Sequence, residues 1–218
     1  ERIMIRRSRV VIVICPSLEE TVRTIDPDAD VVLIENAPGS AEDQASPAQA
    51  AAIRAEWGLA PTAPLVLYTG TFEAYQGLDL LFAAMAEVKK TRPDARLLLA
   101  GGKPDQVARA QGEARAAGIA DVTIFAGERP AAEIPAYLLA ADVVTSPRSK
   151  GTNTPLKIYQ YLRSGKPIVA TRLLTHTQVL DNETAVLTTP DPRAFAAGVL
   201  AMINAPAEAE RLGRNART

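Results

Sequence analysis

Three basic side chains gather in one short stretch of this sequence, Ser-Pro-Arg-Ser-Lys-Gly-Thr-Asn-Thr-Pro-Leu-Lys at 146–157. The stretch predicts a loop followed by a helix. Thr154 offers an N-cap oxygen, Pro155 suits the first helical position, and Gly165 and Pro167 end the helix before a strand at 167–171. Leu156, Tyr159 and Leu162, at three-residue spacing, are the expected buried stripe. A helix N-terminus carries about half a positive charge and favours acidic neighbours. This one has Arg148, Lys150 and Lys157 instead. Cations there add to the positive potential of the helix end unless an anion lies between them, so the pattern points to a phosphate or diphosphate. The competing explanation is that three long basic side chains simply reach into water from a surface loop.

Other candidate chemistry is weaker. Asp26, Asp28 and Asp30 have a spacing that can hold a metal–nucleotide complex, but they precede a strand instead of following one, and a solvated turn accounts for them better. His176 is the only histidine; loop packing or a substrate-side hydrogen bond suits it better than catalysis as a base. With Cys15 as the only cysteine there is no intrachain disulfide and no zinc site built from cysteines, which fits a reducing, cytoplasmic setting. Neither G-x-G-x-x-G after the first strand nor G-x-x-x-x-G-K-[ST] is present, which argues against a dinucleotide dehydrogenase and a P-loop NTPase. Lys plus Arg total 24 against 25 Asp plus Glu, so no overall field favours nucleic acid or an acidic membrane, and any anion site must be local. No apolar run approaches the ~20 residues that span a bilayer, and the first residues lack a signal-peptide pattern. The sequence begins at Glu1 and stops at Thr218, both in helical-looking stretches, which suggests a piece of a longer protein.

The elements that must position these residues follow from apolar patterning. At 218 residues and 47% hydrophobic, the chain can bury one core, or one core plus a small unit. Residues 1–9 resemble a helix end, Val10 to Cys15 a buried strand, Pro16 onward a helix holding Leu18, Val22 and Ile25, and Val31 to Ile34 a second buried strand ending in a turn at 35–39. That is a single βαβ unit. Residues 39–64, rich in Ala and Pro, read as an interdomain connection with a short helix from Pro47 to Trp57. From Leu65, strands at 65–69, 95–100, 122–126, 142–145, 167–171 and 186–188 alternate with helices at 77–91, 104–117, 133–139, 191–203 and 206–217. Such alternation predicts an α/β fold with a doubly wound parallel sheet, and three parts: 1–38, 39–64 and 65–218. Ligands of such sheets bind outside the carboxyl ends of the strands, here the loops 70–77, 101–103, 127–129 and 146–154. Glycine opens three of the four.

The order of these stretches resembles the C-terminal domain of retaining glycosyltransferases of family 4, in the GT-B arrangement of two Rossmann-like domains facing a cleft. The matching pieces are Leu-Tyr-Thr-Gly-Thr-Phe-Glu-Ala-Tyr-Gln-Gly at 67–77, Leu-Leu-Leu-Ala-Gly-Gly at 97–102, Val-Thr-Ile-Phe-Ala-Gly-Glu-Arg at 122–129, Ala-Asp-Val-Val-Thr-Ser-Pro at 141–147 and, most specific, the run 151–171. Residues 1–38 are similar to the last βαβ segment of the preceding domain. The resemblance implies a nucleoside-diphosphate sugar of the UDP or GDP type as donor, no tightly bound cofactor and no metal. It also implies a glycan or lipid-linked sugar acceptor held by a domain outside this chain, and a cytoplasmic location, at the inner membrane face if that other part binds there. It implies that Gly70, Thr71 and Gln76 lie by the diphosphate and Glu128 and Arg129 near the base. Thr152, Asn153, Thr154, Leu156 and Lys157 would face the diphosphate and donor sugar, and Gln160 the ribose, while no catalytic residue is assigned. The chain departs from the family pattern where an Arg and a Lys are usual in the first Gly loop, at Thr71 and Gln76, and where two Glu residues are usual, at Thr152 and Gln160. Lys150, Lys157 and Arg148 can replace the lost cations. The missing carboxylates keep open a degenerate, nucleotide-binding scaffold of the same fold; a third reading, a two-domain sugar-nucleotide epimerase, would want more ionisable groups on the rim.

Overall fold

The structure is a computed structural model, and it describes residues 1–35 and 45–217. Most of the turn expected at 35–39 and the start of the connection at 39–44 lie outside the described residues.

The first unit holds α1 (Arg2–Arg7), β1 (Val11–Val13), α2 (Pro16–Ile25) and β2 (Val31–Leu33). β1 and β2 pair in parallel, giving the expected βαβ unit. Its strands are shorter and less buried than their apolar runs suggest. Val13 packs with Ile5 and Val22 in a small core, but Ile12 is 63% exposed. Successive strand side chains point to opposite faces, and the described helices cover only one face of this pair.

The second unit is a six-stranded sheet with every neighbouring pair parallel, in the order β5-β4-β3-β6-β7-β8. These strands are β3 (Leu65–Thr69), β4 (Arg96–Ala100), β5 (Thr123–Gly127), β6 (Val143–Ser146), β7 (Ile168–Thr171) and β8 (Val186–Thr188). From β3 the chain winds outward through β4 and β5, then crosses back to β6 and winds the other way, so strand order reverses between β3 and β6.

Alternation along the strands feeds two cores. Val66, Tyr68, Leu97, Leu99, Val143 and Val169 face α4 (Leu78–Thr91), α5 (Pro104–Ala116), α9 (Pro192–Asn204) and α10 (Pro206–Ala216). Leu65, Leu67, Leu98, Val144, Ile168 and Ala170 face α3 (Pro47–Glu56), α6 (Ile134–Ala140) and α7 (Leu156–Ser164). α3 begins with a capping box between Ser46 and Gln49. It sends Ala50, Ile53 and Trp57 into the second core, so residues whose composition marks a connection also furnish one helix of the sheet's outer layer. A short α8 (Leu174–Thr177) follows β7. No helix among the described residues is long and apolar enough to cross a membrane.

Candidate functional site

β3 and β6 are in register at Val66 with Val143 and Leu67 with Val144, and then they diverge. Tyr161 of α7 fills the gap. Its hydroxyl accepts from the Thr69 N–H at 3.0 Å and lies 3.0 Å from Thr69 Oγ1 and 3.4 Å from the Thr145 carbonyl. Burial pushes this phenol up to about 12, so it remains a neutral strut at the floor of the crevice. The loops above β3 and β6 are joined to each other, because the Ser149 N–H donates to the Tyr75 carbonyl at 3.0 Å. Gly77, at φ 75°, lets them meet: a Cβ there would overlap the Pro147 carbonyl oxygen.

Helix α7 starts one residue later than the sequence predicts. Pro155 is the cap position, and the Thr154 hydroxyl is buried without a hydrogen-bond partner instead of capping the first turn. The buried stripe is also turned. Lys157, Ile158, Tyr159 and Tyr161 face inward, whereas Leu156 is 66% exposed and Leu162 only half-buried. Tyr161 sets this rotation: once it points into the gap between β3 and β6, residues three and four positions earlier share its face and Leu156 does not.

That rotation carries Lys157 into the crevice, where it is 8% exposed. Its Nζ donates to Gln76 Oε1 at 3.2 Å and sits 3.9 Å from the centre of the Tyr68 ring. It also lies beside Gly70, where an added methyl would be 3.7 Å from Nζ. Gln76 in turn reaches Thr71 Oγ1 at 3.5 Å. Burial, and then the charge of Arg148, hold the Lys157 amine well below the usual lysine range. Arg148 is 7% exposed. Its Nη1 donates to the Asn153 carbonyl and to Thr175 Oγ1, both at 2.9 Å, and its guanidinium lies 4.9 Å from the centre of the Tyr75 ring. Its Nε is buried with no partner. Burial lowers its pKa as well.

Of the three expected basic groups, then, only Lys150 reaches into water. Arg148 and Lys157 are two buried basic groups held by neutral oxygens and aromatic faces, with no carboxylate among their described partners. Buried charges are ordinarily paired, and among the described residues no anionic side chain bonds to either of these two.

The remaining predicted residues divide. Thr71, Thr152, Asn153, Leu156 and Gln160 are exposed on loops 70–77 and 146–154 and on the outer side of α7. Glu128 is exposed after β5, while the Arg129 guanidinium turns to α3, reaching Glu56 Oε1 at 3.2 Å and lying over the Trp57 and Tyr137 rings. His176 is fully buried. Its Nδ1 donates to the Thr171 carbonyl at 2.8 Å, so Nε2 is the acceptor for the Ser146 hydroxyl at 2.8 Å. Burial lowers its pKa to about 4, and it packs the base of the loop as a neutral ring. Asp26, Asp28 and Asp30 lie at the turn between α2 and β2, where the Asp28 N–H donates to Asp26 Oδ1 at 3.3 Å. Sequence reasoning passed over Tyr68, Tyr75, Tyr161 and Thr175. The available signal was a tyrosine at the end of the first strand of the sheet and another in its Gly loop.

A sequence model of the glycosyl transferases group 1 matches residues 49–218. The chain belongs to this family. A D-inositol 3-phosphate glycosyltransferase of Segniliparus rotundus is 31% identical over 173 residues, which is 77% of this chain and 38% of that protein. Sucrose-phosphate synthase of Thermosynechococcus elongatus superposes with a TM-score of 0.84 at 27% identity, over 99% of this chain and 54% of that one. Anabaena HepE, solved in complex with UDP, superposes with a TM-score of 0.87 at 20% identity, over 98% of this chain and 59% of that one. The HepE likeness is one of fold, that of GT-B glycosyltransferases with a Rossmann-like parallel sheet. The chain spans less than half the length of the curated relative and a little over half of these solved chains. In this family member, the strand-order reversal carries two buried basic groups with no carboxylate among their described partners.

Proposed function

We propose that this chain is the donor-binding part of a retaining glycosyltransferase of family 4, and that the anion received between Lys157, Arg148 and the loops 70–77 and 151–156 is the diphosphate of a UDP- or GDP-type sugar nucleotide. One observation carries the reading: Lys157 is buried at the strand-order reversal with Gln76 and the Tyr68 ring as its only described partners. A diphosphate supplies the missing negative charge, and the ammonium then offsets the charge that develops on the departing group as the glycosidic bond breaks. Gly70 admits the phosphates close to the backbone, and Thr71, Gln76, Thr152, Asn153 and Thr154 supply neutral hydrogen-bonding groups around them. Glu128 reads the base with the backbone at Arg129, and Gln160 meets the ribose. In this reading residues 1–38 end an acceptor-binding domain, 39–64 connect, and 65–218 hold the donor; the acceptor is a glycan or lipid-linked sugar, and the chain by itself does not turn over.

The test is a thermal-shift and calorimetric panel of UDP, GDP, ADP and dTDP on this chain. One nucleotide should raise the midpoint selectively, with high-micromolar affinity, and Lys157→Met should abolish that shift. Failure of every nucleotide to bind would refute the reading. Uncharged Thr152 and Gln160 favour a second reading, a scaffold that binds the nucleotide and transfers nothing; sugar transfer by the full-length protein excludes it.

A further inference from the structure

Gln178, just beyond α8, uses both ends of its carboxamide. Oε1 accepts from the Ser17 N–H at 3.0 Å, and Nε2 donates to the Thr152 carbonyl at 2.7 Å. Ser17 lies in the first turn of α2, where a backbone N–H has no acceptor within its own helix. Thr152 lies in the loop that leads into α7. One side chain thus joins residues 1–35 to the backbone at the anion site. Across the same seam, the Tyr159 phenol of α7 has its pKa raised by burial and then by the charge of Glu35.

The bond to Thr152 has a consequence for the loop. A trans peptide is planar, with its carbonyl and the following N–H pointing in opposite directions. Gln178 fixes the Thr152 carbonyl, and Arg148 with Thr175 fixes the Asn153 carbonyl, where Thr175 Oγ1 donates at 2.6 Å. Two successive peptide planes are pinned, and with them the directions of the Asn153 and Thr154 N–H groups. We propose that Gln178 is a positioning residue that ties the anion-site loop to α2, so that occupancy of the site is felt by residues 1–35. This rests on the donor-site reading above.

The experiment is hydrogen exchange on the protein with saturating UDP or GDP, whichever binds, in wild type, Gln178→Met and Gln178→Glu. Methionine keeps the bulk and removes both bonds; glutamate keeps the acceptor for Ser17 and sets a carboxylate against the Thr152 carbonyl. In wild type, nucleotide should slow exchange at both 150–157 and 16–20. In Gln178→Met the loop should still be protected, with affinity about fivefold weaker for one lost hydrogen bond, while protection at 16–20 disappears. Gln178→Glu should weaken affinity at least as much. A purely structural side chain would lower the thermal midpoint and leave the nucleotide-dependent protection at 16–20 intact. Protection at 16–20 that is unchanged in Gln178→Met, or absent in wild type when the loop is protected, would overturn the tether and leave the donor site standing. Absence of protection in both segments of wild type would overturn both.

Discussion

Replacing Lys157 by methionine should make the empty protein more stable and the site useless. The buried ammonium has a neutral amide oxygen at 3.2 Å and a ring centre at 3.9 Å, and no carboxylate among its described partners. Burying such a charge costs several kcal/mol even after relaxation. A desolvated cation–π contact returns about 2 kcal/mol and a hydrogen bond to a charged donor about 1.5–3 kcal/mol, leaving a net cost of roughly 1–2 kcal/mol. Methionine keeps the apolar stem against Tyr68 and removes the charge. For a domain of this size ~1 kcal/mol moves the midpoint by about 2–4 °C, so Lys157→Met should melt roughly 2–8 °C higher without ligand. Its nucleotide affinity should fall about 10- to 150-fold, the value of one charge-assisted hydrogen bond. The pH dependence has a definite sign. Because the Lys157 pKa is lowered, the empty site loses its proton at a pH below the ordinary 10.5, and an anion then binds only with proton uptake. Affinity should therefore decline as pH rises through that lowered value, and the decline should vanish in Lys157→Met. Calorimetry at several pH values, with melting curves of both proteins, checks this. A variant that melts lower and binds nucleotide as wild type does would show that Lys157 serves packing, and the reasoning from unpaired charge would fail.

Three further outcomes follow from the same geometry. His176 has its folded pKa at about 4 against an ordinary 6.5. The unfolded chain therefore takes up the proton first as pH falls, and stability present above 6.5 should be lost towards 4, by on the order of 3 kcal/mol; urea midpoints of wild type and His176→Gln at pH 7 and 4.5 should diverge accordingly, and parallel curves would count against it. Gly77→Ala should cost at least ~2 kcal/mol and weaken nucleotide binding, because φ is 75° and the new methyl meets the Pro147 carbonyl, next to the Ser149–Tyr75 bond that ties the two loops; a neutral melting temperature would contradict the loop contact. Ile158→Ala should cost about 2–5 kcal/mol and Leu156→Ala less than about 0.5 kcal/mol in denaturant unfolding, and the reverse ranking would show that α7 is rotated as its apolar spacing first suggests.

Local signals in the sequence settle most of the framework. Mainly apolar runs mark all six strands of the large sheet to within a residue or so, because the inner strands of a parallel sheet are covered on both faces. The same signals mark the loops at its carboxyl ends, and Gly165 ends α7 in the left-handed conformation its position suggests. The basic cluster at 148–157 is legible because residue type alone conflicts with a helix N-terminus.

What tertiary structure decides is direction. In a nine-residue helix with two tyrosines in its middle, apolar spacing does not fix the rotation about the axis; the gap between β3 and β6, which Tyr161 fills, does so, and it turns Lys157 inward and Leu156 out. Thr175 and Gln178 are likewise ordinary polar residues in sequence. Their partners, Asn153, Thr152 and Ser17, lie 22, 26 and 161 residues away along the chain and become neighbours only in the fold, since a hydrogen bond depends on positions in space that separation along the chain does not encode.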